Sequence, residues 1–357
     1  MADDMNRKLK VGYIGWLFHD DTPFAEAHSV CDLNAEKVKK YVGKWPGTKG
    51  FTDYREMAAD SSLDAVVIST PNWLHCDMTE AFLKSGKHVF CEKPMGINRA
   101  EMDRMLRAQR ESGKQLAIDF EMRVSAACLR FKEIAASGEI GHVRGIEFVH
   151  HRGGWVAEGN GLWRVDPAKS GGLYFMEPCH ALDFFRFVLG EITHVQSFKM
   201  PNVLPHYAQN MPDNVTSHFF FENGAAGTIL TSHALSVQHA KQEDYPAQGH
   251  DMNLVVYGTK GAARFDAIRS EILLTRLDEH PKGTNGRVAE FGRTERITEP
   301  NACHDITANR LAFLKACAEG RPHHQDAHDA WKTHAVCLAA EHSALNDSPK
   351  VTVDYAL

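Results

Sequence analysis

The stretch that decides the fold runs from Asp64 to Gly96: DAVVISTPNWLHCDMTEAFLKSGKHVFCEKPMG. Ala65 to Ser69 is a short apolar run rich in β-branched residues, as expected of a parallel strand buried on both faces. Thr70, Pro71 and Asn72 break it. Leu74 to Leu83 is helical in pattern, and Gly86 stops it. His88 to Cys91 is a second short strand that delivers Glu92, Lys93 and Pro94 to the edge where the first strand ends. Open α/β sheets bind ligands outside the carboxyl ends of their strands, so Lys93 is placed to meet one. Taken alone, Lys93 reads equally as a solvated lysine beside a turn proline. The strand-loop-helix-strand context is what turns the reading towards a site.

Outward from this stretch, residues 9 to about 122 alternate strands and helices. Lys10 to Ile14 is a strand, Ser29 to Asp32 ends another, and Ala35 to Tyr41 is helical. Ala100 to Ser112 is amphipathic and capped by Gly113, and Gln115 to Asp119 is one more strand. Such alternation predicts a parallel, doubly wound sheet. The pattern then changes. After a helix from Ala126 to Ser137 come strands with period-two alternation: Val143 to His151, Val215 to Phe221, Ala226 to Ser232 and Asn253 to Tyr257. Glu222-Asn223-Gly224 is a hairpin signal between two of them. The second domain is therefore α+β with a mainly antiparallel sheet. Trp155 to Gly172, Lys199 to Asp213 and His239 to His250 are long polar connections of the kind that often carry function. Helical pattern returns from Ile306 to Glu319 and from Ala327 to Ala344, before a closing strand, Lys350 to Asp354.

The 357 residues suffice for two domains with substantial cores. A hydrophobic share of 43% and a charged share of 24% are those of an ordinary soluble globular chain. The net charge of -6, without a long basic run, argues against nucleic acid as a partner. None of the eight cysteines forms a C-x-x-C pair, so a structural zinc site is not expected and a reducing, cytoplasmic setting fits. The amino-terminal MADDMNRKLK has no apolar stretch that would make a secretory signal. No apolar run approaches membrane-spanning length.

The segment Asp64 to Gly96 resembles the Gfo/Idh/MocA family of sugar and polyol oxidoreductases. So do Glu319-Gly320-Arg321-Pro322, the closing strand, and Ser170 to Glu191, SGGLYFMEPCHALDFFRFVLGE. The resemblance covers nearly the whole chain. It implies an α/β Rossmann-type doubly wound parallel sheet over residues 1–122. It implies an α+β domain with a large, mainly antiparallel open sheet over 123–304, and helices and a strand packing back near the first domain over 305–357. It further implies NAD as cofactor, a sugar or polyol substrate, and a homo-oligomer, dimer or tetramer, joined through the open sheet face. In the family the lysine matching Lys93 is catalytic, and the loop matching Ser69 to His75 lines the dinucleotide.

The phosphate loop departs from the usual pattern. Dinucleotide binding ordinarily uses G-x-G-x-x-G after the first strand, with a helix aimed at the pyrophosphate. Here only Gly15 is in place, and Leu17 and Asp20 stand at the other two positions. Seventeen positions separate Gly15 from Asp32, against about 20 in the general fingerprint. The crossover helix is therefore expected to be stunted, with Thr22 capping it and Pro23 at its start. Asp32 ends the second strand, where a carboxylate binds the ribose hydroxyls of NAD. It equally suits a cap for the helix near Ala35, shared with Asn34. The expectation is NAD held by Gly15, Asp32, Thr70, Pro71, Asn72, His75, Glu92 and Lys93. The alternative is a chain in which dinucleotide binding is weakened or lost.

Ser170 to Glu191 matches the family's glycine entry to a helix carrying a catalytic histidine, here His180, with Asp183 downstream. The position four before the histidine, often an aspartate in the family, is Met176; Glu177 is adjacent and three before His180. A histidine can take a hydroxyl proton near neutral pH, and a lysine ammonium stabilises developing alkoxide charge. His180 is thus read as base and Lys93 as electrophile, with Glu177 within reach and Asp183 able to orient His180 or to serve only as a helix residue. Arg123, Trp163, Arg164, Tyr174 and His180 are the candidate substrate contacts, although core packing explains an aromatic at least as often. Glu177 and His180, with His150 or His151 and His206, are metal-ligand types, but their spacing is not diagnostic and no metal is expected. The rival readings are a lyase, hydratase or isomerase on the same scaffold, metal-assisted or recycling NAD, and a non-catalytic binding protein.

Overall fold

The computed structural model describes residues 7–16, 21–155, 163–207, 210–233, 250–266, 270–277, 290–298, 303–347 and 349–357. The first sheet is built from β1 (Leu9–Gly15), β2 (Ala25–Cys31), α1 (Ala35–Lys44), β3 (Lys49–Phe51), α2 (Tyr54–Ala58), β4 (Ala65–Ser69), α3 (His75–Lys84), β5 (His88–Cys91), α4 (Arg99–Ser112) and β6 (Leu116–Ile118). Its strand order is β3-β2-β1-β4-β5-β6, and every pair is parallel. The order reverses between β1 and β4, which opens a ligand crevice at the carboxyl ends of those strands. Ala65 to Ile68 are buried on both faces, which is why the run carries no polar alternation.

The connection from β1 to β2 differs from expectation. Among the described residues Thr22 and Pro23 start no helix. The Thr22 hydroxyl instead accepts the N–H groups of Phe24 at 3.3 Å and Ala25 at 2.9 Å, and Leu9 N–H donates to the Phe24 carbonyl. Lys8 pairs with Asp21 at 2.7 Å, so the chain is already back at the amino end of the sheet by residue 21. The reason is length. The connection must return along a seven-residue strand, roughly 23 Å, and a helix rises only about 1.5 Å per residue. The first crossover of this doubly wound sheet therefore has no room for the usual helix.

The chain then passes through a short 3-10 turn, Glu121–Val124, into α5 (Ala126–Ser137) and β7 (Val143–Arg152). The short helices α6 (Pro167–Ser170) and α7 (Leu173–Met176) lead into α8 (Pro178–Leu189). β8 (Ile192–Lys199), β9 (Asn214–Phe221), β10 (Ala226–Ser232), β11 (His250–Gly258), β12 (Gly261–Asp266), β13 (Glu271–Leu277) and β14 (Glu290–Arg296) follow, and then α9 (Ile306–Ala318), α10 (Ala327–Leu345) and β15 (Val351–Thr352). The second sheet has the order β14-β13-β12-β11-β7-β10-β9-β8-β15, antiparallel except where β7 meets β10.

The carboxyl-terminal elements join the two sheets. Phe313, Leu314 and Cys317 of α9 pack with Val11, Tyr13, Val67 and Phe90 on one face of the first sheet. A larger apolar cluster runs from the α3 and α4 side of that sheet through Trp331 of α10 to Phe184, Phe185 and Phe219 on the second. Each fully buried large side chain there stabilises by roughly 2–3 kcal/mol. Among the described residues no helix is long and apolar enough to cross a membrane.

Candidate active site

Lys93 follows β5 directly, joined to Pro94 by a cis peptide bond. Its ammonium donates to the Met176 carbonyl, so a side chain from the first domain reaches the segment between α7 and α8. Burial pushes the Lys93 pKa down, but Cys179, Glu177, Glu121 and Glu92 together hold it above its ordinary value. Burial raises the Cys179 thiol to about 12, so at neutral pH the carboxylates are the charges that keep Lys93 protonated.

Two residues of the loop after β4 support the same edge. The His75 ring lies between two carbonyls, with Nδ1 2.7 Å from Pro94 O and Nε2 2.9 Å from Thr70 O. It stitches the turn after β5 to the loop after β4. Asn72 is buried and donates to Ser170 O at 2.7 Å and to the Met176 sulfur at 3.1 Å, which ties that loop to the second domain.

His180 sits in the first turn of α8, which Pro178 opens. The glycine entry is required by geometry. Gly172 has φ +103°, and a Cβ there would lie 2.5 Å from the Glu341 carboxylate, which accepts Tyr174 N–H. His180 is buried, with Nδ1 3.3 Å from Glu121 Oε2. The other Glu121 oxygen meets His304 Nδ1 at 2.5 Å. Burial opposes charge on Glu121, yet His180 and His304 hold its carboxyl well below the usual range. Burial drives His180 down to about 3; Glu121 opposes that fall, while Lys93 and His304 add to it. At neutral pH the arrangement is a charged lysine and a neutral His180, and the His304 hydrogen bond is the contact left to favour an ionised Glu121.

Glu121 and His304 are the site members that sequence reasoning missed. Glu121 had a legible signal, because it follows β6 at the edge where Lys93 follows β5. His304, just ahead of α9, had none. With His180 they form a group whose donor atoms lie within 4.8 Å of one another, of types that can ligate a metal. The metal grouping considered from sequence does not assemble in this way. Glu177 pairs with Arg152, and His206 Nε2 lies 2.7 Å from Trp155 O.

Other expected members are placed elsewhere. Asp183 does not orient His180; it accepts Arg123 Nε at 2.6 Å and Nη2 at 2.7 Å, and Thr333 Oγ1 at 2.9 Å. Arg123 also meets Asp329 at 2.5 Å and is buried, so it is a junction brace and offers no free guanidinium to a substrate. Tyr174 is fully buried, its hydroxyl 2.5 Å from Ser217 Oγ, so it lines the core instead of a pocket. Trp163 packs edge-on against Trp73 at 5.4 Å, with the Arg164 guanidinium 4.5 Å above its ring. Arg164 is close enough to Arg152 and Glu177 for their charges to act on it, so Trp163 and Arg164 stay beside the Glu177 side of the site.

The dinucleotide edge fits NAD in part. Gly15 has φ +82°, and a Cβ there would lie 2.3 Å from Ser69 O, so only glycine lets the end of β1 close against the end of β4. Asp32 stands at the end of β2, as a ribose partner would. Its Oδ1 accepts Asn34 N–H at 2.9 Å and its Oδ2 meets Lys37 Nζ at 2.6 Å. Asn34 alone caps α1, so the capping role considered for Asp32 is not what it does. Glu92 lies half-buried between Lys93 and Glu121, pushed up by burial and by Glu121. Among the described residues no helix stands behind the phosphate loop.

Residues 11–120 match the model of the oxidoreductase family with an NAD-binding Rossmann fold, and residues 128–264 match the GFO/IDH/MocA C-terminal domain. The chain is 28% identical to the uncharacterized oxidoreductase YrbE of Bacillus subtilis over 69% of this chain and 68% of that one. It is 24% identical to a myo-inositol 2-dehydrogenase of Thermotoga maritima over 72% of each chain. A levoglucosan dehydrogenase solved in complex with NADH superposes with a TM-score of 0.81 at 20% identity, covering 98% of this chain and all of that one. With both domain models matched in order over most of its length, the chain belongs to the GFO/IDH/MocA oxidoreductases, and its first domain is an NAD-binding Rossmann domain.

Proposed function

We propose that this protein oxidises a secondary alcohol of a sugar, polyol or related hydroxylated compound, with Lys93 as electrophile and His180 as base. One observation carries the reading: a charged Lys93 and a neutral His180 are brought to one edge from two domains. The names of the relatives, a myo-inositol dehydrogenase and a levoglucosan dehydrogenase, support the substrate class.

NAD, when bound, supplies the acceptor for the hydride that leaves the carbinol carbon. The residues of this chain handle the proton and the charge. His180 Nδ1 lies 3.3 Å from Glu121 Oε2 without hydrogen-bond geometry, and Nε2 is the nitrogen assigned to take the hydroxyl proton. Lys93 donates to the substrate oxygen and stabilises the negative charge that develops there before the carbonyl forms. Glu177, neutralised by Arg152, frames the site beside Lys93.

The test is reduced-nicotinamide absorbance with a panel of sugars and polyols. Lys93→Ala is expected to lower kcat by about 10²–10³ and His180→Ala by about 10²–10⁴. Full turnover in Lys93→Ala would sink the mechanism. Turnover that survives removal of the nucleotide and is lost on chelation would move the reading to the metal-assisted lyase or isomerase that the Glu121, His180 and His304 group also suits. The same reading carries a homo-oligomer through the open face of the second sheet, where Tyr257, Leu273 and Leu277 stand exposed. Light scattering is expected to give at least a dimer, and Leu273→Lys a smaller species; a monomeric wild type refutes it.

A further inference from the structure

Lys37 is the residue whose position the established family membership leaves unexplained. It lies in the first turn of α1, yet its side chain reaches back to the end of β1. There Nζ donates to the Gly15 carbonyl at 2.6 Å and to Asp32 Oδ2 at 2.6 Å. It thus stands where β1, β2 and the start of the phosphate loop converge. Its side chain is 35% exposed, so it is free to exchange partners.

The surroundings say what it is for. A dinucleotide site needs positive potential at the pyrophosphate, ordinarily from the amino terminus of the first crossover helix, equivalent to roughly half a unit charge. Among the described residues between β1 and β2 there is no such helix. The amino terminus of α1 is no substitute, because Asn34 Oδ1 already accepts the N–H groups of Glu36 and Lys37. Of the nearby acidic groups, Asp21 is held at the far end of the sheet by Lys8, and Asp32 is the carboxylate suited to the ribose. Gly15 opens the phosphate loop at the crevice where the strand order reverses, and Lys37 Nζ already sits on its carbonyl.

We propose that Lys37 replaces the missing helix terminus as the cation for the cofactor pyrophosphate. In the structure as it stands Lys37 neutralises Asp32. When the dinucleotide binds, Nζ turns to the phosphate and Asp32 is released to the ribose hydroxyls, so one side chain serves as placeholder and then as anchor. The proposal rests on dinucleotide binding alone and is independent of the roles given to Lys93 and His180.

Titration calorimetry with NADH, NADPH, ADP-ribose and adenosine tests it, on wild type, Lys37→Met and Lys37→Arg. Methionine keeps the stem and removes the charge at a half-exposed position, so circular dichroism should match wild type. Lys37→Met is expected to weaken NADH and ADP-ribose by about tenfold or more, to leave adenosine unchanged, and to flatten the dependence of NADH affinity on salt. Lys37→Arg should retain most of the affinity. The proposal is overturned by wild-type NADH affinity in Lys37→Met, or by an equal loss for adenosine, which would mean that Lys37 only shapes the ribose side. It is also overturned if NADPH alone weakens, which would place the charge on the extra 2′-phosphate, and by a wild type that binds neither NADH nor ADP-ribose.

Discussion

Asp183 stands three residues after His180 on α8, yet its carboxylate faces Arg123, Thr333 and Gln325 instead of the imidazole. Arg123 in turn reaches Asp329 at 2.5 Å, so one buried network ties the turn after β6 to α8 and α10. Breaking a buried pair from one side costs about 3–5 kcal/mol, because the remaining charge is left uncompensated. Asp183→Asn is therefore expected to lower the melting temperature by on the order of 10 °C and to leave kcat and KM near wild type at low temperature. Intact melting with lost turnover would return Asp183 to His180. The carboxylate beside His180 comes instead from Glu121. Its place after β6 was legible, but its pairing with His180 was not, because 59 positions separate the two (180 − 121) and no local periodicity links them. Lys93 and His180 were legible because each lies within a local pattern: a strand end, and a glycine entry to a helix. Arg123 and Tyr174 were misjudged as substrate contacts because residue type says nothing of direction. Each is turned inward by a partner far away in the chain.

At the scale of elements, the strands and helices of both sheets were legible where periodicity and caps agreed. Asn98 and Gly113 bracket α4, and the Glu222-Asn223-Gly224 turn joins β9 to β10, as their chemistry requires. The first crossover was not legible as an element. Its shortness could be counted from Gly15 to Asp32, but Thr22 and Pro23 offer the same letters to a helix start and to the turn that actually forms. The parallel pairing of β7 with β10 was likewise invisible, since alternation marks a strand and does not name its neighbour. The site gains from this arrangement. Lys37 of α1 reaches the Gly15 carbonyl at the end of β1, and the turn after β6 carries Glu121 to His180.

For the whole molecule, the buried ionisable groups set a distinctive acid response. His75, His88, His180, His323 and His334 are all pushed down by burial, His88 and His334 to about 4 and His180 to about 3. Between these values and the unfolded value near 6.5, the unfolded chain takes protons that the native one refuses. Stability therefore falls as pH falls, by about 1.4 kcal/mol per pH unit for each histidine fully in its window. Glu92, Asp119, Asp183 and Glu341 act in the opposite sense. Burial raises them, so the native state holds protons that the unfolded chain releases above about pH 4.5, and stability rises as pH falls through that window. Between pH 7 and 4.5 the two sets act against each other and cancel in part. Below about pH 4.5 the raised carboxyls are protonated in both states and drop out. Asp60, Asp64, Glu80, Glu191, Glu295 and Asp329, held below their ordinary values in the folded chain, then add to the histidines with the same sign. Denaturant midpoints measured from pH 7.5 to 3.5 should show a shallow plateau and then a steep loss; a steady decline from pH 7 would contradict the cancellation. Glu341 separates the two sets directly. Its carboxyl is raised to about 7 by burial, against the hydrogen bond from Tyr174 N–H. Glu341→Gln keeps that acceptor and removes the titration. The variant should gain roughly 1–3 kcal/mol over wild type at pH 7 and almost nothing at pH 4.5, which tilts the plateau so that stability climbs with pH. An equal change at both pH values would mean that Glu341 acts through packing and not through its proton.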